Sequence, residues 1–151
     1  ERDRRAGTEN IAFTAGCAKA LELTYNSFDE NKEKISALRR HFESAIKSDF
    51  PEAIINGESA ERCCSISSVT FPGVSADRII MNLDFAGICI SAGSACASGS
   101  VTPSHVLTAM GIGEANAKSS VRVSFGQNNT PDETDFLIKT LSDTVKRLKN
   151  I

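Results

Sequence analysis

The sequence lacks several features that would assign it to a particular class of protein. No apolar run approaches the ~20 residues that a membrane-spanning helix needs, and the first five residues are charged where a secretory leader would be apolar. The formal net charge is only -2, so there is no large basic field to hold nucleic acid or an anionic membrane. We therefore expect a cytoplasmic protein with no nucleic-acid and no membrane partner.

Histidine is scarce, and the cysteines are odd in number. The sequence has two histidines, His41 and His105, and five cysteines, of which Cys63 and Cys64 are adjacent. Zinc half-sites usually leave two to four residues between their cysteines, so this spacing argues against a metal site. An odd cysteine count also argues against a disulfide framework. We expect reduced thiols and no bound metal.

The hydrophobic periodicity predicts alternating helices and short strands within 151 residues. Helical patterns begin near residues 10, 29, 75, 102 and 130, and the first, over residues 10–25, is rich in small residues that favour close packing. Short apolar or alternating runs at 53–57, 65–71, 88–90 and 121–125 predict strands. The expected fold is α+β with two layers, in which a short mixed or antiparallel sheet carries helices on one face.

Cys96 is a candidate reactive thiol because of the residues around it. Residues 91–100 are almost all glycine, alanine or serine, which cannot form a core and leave the backbone flexible. Cys89, in contrast, lies between isoleucines, as buried structural cysteines do. A plain glycine-serine connector explains the composition around Cys96 equally well, and both readings stay open at this point.

Two further positions could bind anionic groups. Gly7 and Thr8 precede the first helical pattern, where free backbone N–H groups and the helix dipole favour a phosphate, although Thr8 could simply cap the helix. Arg122 lies on the polar side of an alternating strand, beside several serines, and could bind a carboxylate through two parallel hydrogen bonds. An ordinary arginine on an exposed sheet face is the alternative.

Four segments taken together are far more specific than any one of them. They are Arg5-Ala6-Gly7-Thr8-Glu9-Asn10, Ser94-Ala95-Cys96-Ala97-Ser98-Gly99, the run from Pro103-Ser104-His105-Val106-Leu107 to Gly111, and Ser120-Val121-Arg122-Val123-Ser124-Phe125-Gly126. In this order they resemble the C-terminal region of cysteine desulfurases of the NifS/IscS type, which are part of the class V aminotransferase group. The resemblance covers nearly the whole chain.

The resemblance implies a fold-type I enzyme that depends on pyridoxal 5'-phosphate and forms a homodimer. Such an enzyme removes sulfur from L-cysteine, leaves L-alanine, and passes the sulfur to an acceptor or scaffold protein for iron–sulfur cluster assembly or thiolation. By motif, Cys96 is the nucleophile that becomes a persulfide, Arg122 holds the substrate carboxylate, and Thr8 contacts the cofactor phosphate. For His105 we expect a packing or capping role in its helix.

One departure from the family pattern limits what this chain is expected to do. None of its lysines follows a histidine in the Ser/His-rich context of the family's cofactor-binding lysine. We therefore expect residues 1–25 to lead from a missing N-terminal domain that carries the cofactor lysine, and residues 26–151 to form the small C-terminal domain. This chain alone is expected to be inactive. A related class V enzyme, such as a selenocysteine lyase, and a non-catalytic docking module remain the alternatives.

Overall fold

The computed structural model describes residues 7–93 and 103–150. Six helices and four strands occur within these residues. In chain order they are α1 (Ile11–Asn26), α2 (Phe28–Asp49), β1 (Ile54–Ile55), β2 (Ile66–Thr70), α3 (Ala76–Phe85), β3 (Ser91–Ala92), α4 (His105–Ala109), α5 (Glu114–Ala117), β4 (Ser120–Ser124) and α6 (Pro131–Lys149).

The four strands form one antiparallel sheet in the order β1-β2-β4-β3. The central pair is β2 and β4, in a register that places Ser68 opposite Arg122 and Thr70 opposite Ser120. β1 extends the sheet beyond β2, and β3 pairs with the other side of β4. Because side chains alternate between the two faces of a strand, this register decides which residues share a face.

One face of the sheet is covered by α2, α3 and α6. Val69 on β2 and Val121 and Val123 on β4 are buried against these helices, and α2 and α6 also pack against each other. The helices contribute apolar stripes at helical spacing, including Phe42 and Leu141, which are fully buried. The predicted two-layer α+β fold with helices on one face is confirmed, and the sheet is wholly antiparallel.

The first helix differs from its prediction. α1 buries none of its residues, although its sequence predicts close packing of small side chains. Its start also differs, because the side chain of Asn10 accepts the hydrogen bond from the backbone N–H of Phe13 and acts as the N-cap in place of Thr8. Periodicity correctly predicted a helix here, but the described chain provides no surface that covers it.

The chain around β3 and α4 also departs from expectation. Residues 88–90 are not a strand, and β3 begins at Ser91, within the segment predicted as a loop. Cys89 is exposed, so the prediction of a buried structural cysteine is wrong. α4 begins at His105 with Ser104 as its N-cap, and the short α5 was not predicted. β3 is held by its pairing with β4, and α4 and α5 contact each other, so local periodicity does not determine these short elements.

Within the part of the chain that the structure describes, no helix is both long and apolar enough to cross a bilayer. No group of three or more histidine, cysteine or acidic side chains among those residues is close enough to hold a metal ion.

Candidate functional site

Arg122 lies on the face of the sheet that α2, α3 and α6 leave open. Its neighbours Val121 and Val123 point into the core, so alternation along β4 directs Arg122 to the opposite side. The residue is half-buried, and its nearest cross-strand neighbours are Ser68 on β2 and Ser91 on β3. Two small serines leave room for the long arginine side chain to reach over the sheet.

The guanidinium makes one hydrogen bond within the described residues. Nη1 of Arg122 donates to the backbone carbonyl of Gly93 over 3.3 Å, which is slightly longer than the usual range for such a bond. Gly93 has φ of +62°, a left-handed conformation that glycine adopts at low cost, and it follows β3 directly. A guanidinium has five N–H donors. Most of them therefore remain available for an anionic group, and a carboxylate could accept two in parallel.

A pocket of about 270 Å³ adjoins Arg122. Ser68, Ser120 and Arg122 line it from the open face of the sheet, whereas Leu107 and Met110 bring apolar surface from the region of α4. A single cation in a small, largely apolar pocket suits a small molecule with one carboxylate. This geometry agrees with the carboxylate-binding role predicted for Arg122, which stays a prediction.

A chain of polar side chains runs beneath this pocket. The side-chain nitrogen of Asn56 is 3.0 Å from Ser68 Oγ, and the side-chain oxygen of Asn56 is 3.1 Å from Thr70 Oγ1. Thr70 Oγ1 is in turn 2.7 Å from Ser120 Oγ, which donates to the carbonyl of Asn116 over 2.7 Å. Asn56, Thr70 and Ser120 are buried, so these bonds compensate for the loss of water.

The sequence analysis did not identify this polar chain. The alternation Ser68-Val69-Thr70 was the only local signal, because it places both hydroxyls on one face of β2. Asn56 and Ser120 join them only through the pairing of β1, β2 and β4.

Thr8 is exposed, two residues before the N-cap of α1. Because Asn10 supplies the cap, the Thr8 hydroxyl has no hydrogen-bond partner within the described residues. A hydroxyl near a helix N-terminus can contact a phosphate, so the residue fits the role that the sequence predicts. The structure does not bring Thr8 and Arg122 into a common site, and α1 packs none of its residues into the core.

Cys96 lies outside the described residues. Gly93, whose carbonyl Arg122 contacts, is the last described residue before it and lies three positions earlier in the sequence. The four described cysteines, Cys17, Cys63, Cys64 and Cys89, form no disulfide.

His105 is exposed as the first residue of α4 and follows the N-cap Ser104, so it is neither packed in a core nor the cap itself.

Sequence comparison supplies the family. The sequence model of the class-V aminotransferases matches residues 1–137, which is most of the chain. The chain belongs to the class-V aminotransferase family. Among its curated relatives, this class-V chain is 41% identical over 150 residues to the putative cysteine desulfurase IscS 1 of Bacillus subtilis. It is 36% identical over 153 residues to the cysteine desulfurase IscS of Clostridium botulinum.

These matches cover almost all of the class-V chain but little of its relatives. They span 98% and 100% of the chain, yet only 39% and 38% of the two relatives. The solved structure of a NifS-like protein from Rickettsia africae superposes with a TM-score of 0.82 at 32% identity, covering 94% of this chain and 36% of that one. The similarity to cysteine desulfurases of the NifS/IscS type, predicted from the motifs, is confirmed.

Proposed function

We propose that this chain is the C-terminal part of a cysteine desulfurase that converts L-cysteine to L-alanine and carries the released sulfur on Cys96. The observation that carries the proposal is the match to cysteine desulfurases over 98% of the chain, together with a cationic side chain, Arg122, at a small pocket on the open face of the sheet. Residues 1–25 would lead from a larger domain, and residues 26–151 would form the small domain.

Arg122 is proposed to bind the carboxylate of the substrate. Its present bond to the Gly93 carbonyl is long at 3.3 Å, and a paired interaction with a carboxylate would be stronger because both partners are charged. Substrate would thus compete with a weak contact and not with an ion pair. This exchange would take place beside Gly93, which lies three positions before Cys96 in the sequence.

Cys96 is proposed to accept the sulfur as a thiolate. A bond forms between the Cys96 sulfur and the substrate sulfur while the carbon–sulfur bond of L-cysteine breaks, and protonation of the carbon yields L-alanine. Pyridoxal 5'-phosphate, when bound in the full-length enzyme, supplies the electron sink for this cleavage. Thr8 is proposed to contact its phosphate, across the interface of a homodimer.

The persulfide would then pass to an acceptor or scaffold protein, for iron–sulfur cluster assembly or thiolation. A cytoplasmic location is proposed with it, in agreement with the unpaired state of the four described cysteines. Because no lysine here has the expected context, this chain on its own is proposed to lack desulfurase activity.

The assignment of Cys96 is tested in the full-length protein with L-cysteine and pyridoxal phosphate, by measuring alanine and sulfide. Cys96→Ala is expected to lower the rate at least about a hundredfold, because the nucleophile is lost. Cys89→Ala is the matched control, since Cys89 is an exposed cysteine only seven residues away. Its rate should stay near that of the wild type.

Equal activity of Cys96→Ala and wild type would refute the role of Cys96. The 151-residue chain is assayed in parallel. It is expected to form no alanine and to show no visible absorbance band of a bound pyridoxal phosphate, and either signal would contradict the proposed inactivity of the chain alone.

A further inference from the structure

The polar chain beneath the pocket contains a conflict in its hydrogen bonds. Three oxygen–oxygen contacts join Thr70 to Asn56, Thr70 to Ser120 and Ser120 to the Asn116 carbonyl, at 3.1, 2.7 and 2.7 Å. Each needs one hydrogen, but only the two hydroxyls of Thr70 and Ser120 can supply any, because the two amide oxygens only accept. One contact in this buried cluster would therefore have no hydrogen.

A half-turn of the Asn56 amide removes the conflict. Its nitrogen would then face Thr70 and donate to Thr70 Oγ1, so that Thr70 donates to Ser120 and Ser120 donates to the carbonyl of Asn116. Every contact in this series of hydrogen-bonded side chains then contains one hydrogen. Because Asn56 and Thr70 are buried at 6% and 0% exposure, a missing hydrogen bond here would be costly, and the turned amide is the favoured arrangement.

This arrangement determines the role of Ser68. With the amide oxygen of Asn56 facing it at 3.0 Å, the Ser68 hydroxyl must donate its single hydrogen to Asn56. Its lone pairs are then left as acceptors on the open face of the sheet. Ser68 lies directly opposite Arg122 in the register of β2 and β4, and both residues line the same pocket.

We propose that Ser68 is a positioning residue for Arg122. Held as an acceptor by the one-directional chain through Asn56, Thr70 and Ser120, it receives a hydrogen bond from the guanidinium, directly or through one water. Together with the Gly93 carbonyl on the other side, it orients the guanidinium toward the pocket. The inference deepens the proposed function, on which its kinetic test rests.

The kinetic test compares variants of the full-length protein with L-cysteine as the substrate. Ser68→Ala is expected to raise KM about tenfold, since a hydrogen bond to a charged group is lost, while kcat stays within about twofold. Ser68→Thr keeps the hydroxyl and suits a strand, and it should restore a KM close to that of the wild type. A wild-type KM in Ser68→Ala would overturn the inference.

The neighbouring serine provides the control for a merely structural effect. Ser67 lies on the opposite face of β2, is fully buried and donates to Glu43 over 2.8 Å. Ser67→Ala is expected to lower the unfolding temperature without changing KM. If Ser68→Ala shows this same pattern, Ser68 serves only stability and the inference fails.

Two further measurements separate this inference from the proposed function. If the wild type releases no alanine, or if Arg122→Lys leaves KM unchanged, the proposed function fails. A crystal structure of the full-length protein at about 1.2 Å or better tests the hydrogen bonds regardless of activity. It should show the Asn56 nitrogen facing Thr70, and Ser68 Oγ bonded to the guanidinium or sharing a water with it. An Asn56 nitrogen that faces Ser68 would overturn the inference.

Discussion

Glu43 on α2 is held by two side chains from another part of the chain. Arg62 donates to its two carboxylate oxygens over 2.7 and 3.0 Å, and Ser67 donates over 2.8 Å. The side chains of Arg62 and Glu43 are only 19% and 12% exposed. A bidentate ion pair that is this little exposed contributes more to stability than a surface pair does, because water screens it less.

Burial by itself would raise the pKa of Glu43. The hydrogen bonds from Arg62 and Ser67 outweigh it, with help from the charges of Arg62 and Arg39, so the net effect lowers the pKa. A carboxyl whose pKa is lowered on folding stabilises the protein above its unfolded pKa of about 4.3. That contribution is lost as the pH falls through the lowered pKa of the folded state.

Glu43→Gln is therefore expected to lower the free energy of unfolding of this chain by about 2 kcal/mol at pH 7. The difference between the variant and the wild type should shrink as the pH falls below about 4. Urea unfolding followed by circular dichroism between pH 3 and pH 7 measures both effects.

The control for this prediction is Glu33→Gln. Glu33 also pairs with an arginine, Arg40, but its side chain is 76% exposed, so its loss should change the free energy by less than about 0.5 kcal/mol. A similar small effect in Glu43→Gln would show that burial adds nothing to the Arg62 pair.

At the scale of elements, α6 has the most complete start of any helix in the described chain. Thr130 Oγ1 accepts from the backbone N–H of Glu133, and the Glu133 carboxylate accepts from the backbone N–H of Thr130. Pro131 begins the helix, where its missing N–H costs nothing. The hydrogen bond from Asn129, followed by that from Thr130, lowers the pKa of Glu133. The carboxylate thus stays charged at the positive end of the helix dipole.

Thr130→Ala is expected to destabilise the chain by about 1 kcal/mol, because the backbone N–H of Glu133 loses its acceptor. Thr130→Ser retains the hydroxyl and should keep most of the wild-type stability. The midpoints of urea unfolding of the two variants and the wild type test the contribution of this cap. If both variants unfold together, the loss arises from the threonine methyl group and not from the cap.

At the scale of the whole molecule, α1 stands apart from the packed layers. It buries no residue, and Ile11, Phe13, Leu21 and Tyr25 each expose more than two thirds of their surface. Residues of α2, α3, α6 and the central strands β2 and β4 share one hydrophobic core, which contains no residue of α1. The stabilisation from the buried core therefore comes from the residues that follow Asn26.

Removal of residues 1–26 is expected to shift the unfolding temperature of the chain by less than about 4 °C, since 1 kcal/mol corresponds to roughly 2–4 °C in a chain of about 150 residues. Calorimetry of the two chains measures the shift. Leu141→Ala, at a fully buried position, shows the sensitivity of the assay, because it should lower the free energy of unfolding by about 3 kcal/mol. A fall of more than about 8 °C on truncation would mean that α1 supports the core after all.

Local sequence predicted the elements that carry their own signals. The capping box and apolar stripe of α6, the periodicity of α2 and the alternation of β4 are all contained in short windows, and each occurs where the pattern predicts. Local signals failed where contacts with residues distant in sequence determine the secondary structure of a segment. Residues 88–90 are apolar like a strand, yet it is Ser91 and Ala92 that pair with β4, and Cys89 is left exposed.

The sequence by itself determined the family, the two-layer fold and the face on which Arg122 lies, because motifs and periodicity are properties of neighbouring residues. Only the tertiary structure decided that Asn56, Ser68, Thr70 and Ser120 meet beside Arg122. Ser68 and Thr70 lie on β2, Ser120 lies on β4 and Asn56 follows the end of β1. These positions are distant in sequence, and the pairing of the strands brings them together. The exposure of α1 is likewise a tertiary result, since an apolar helix is buried only where another surface is present to cover it.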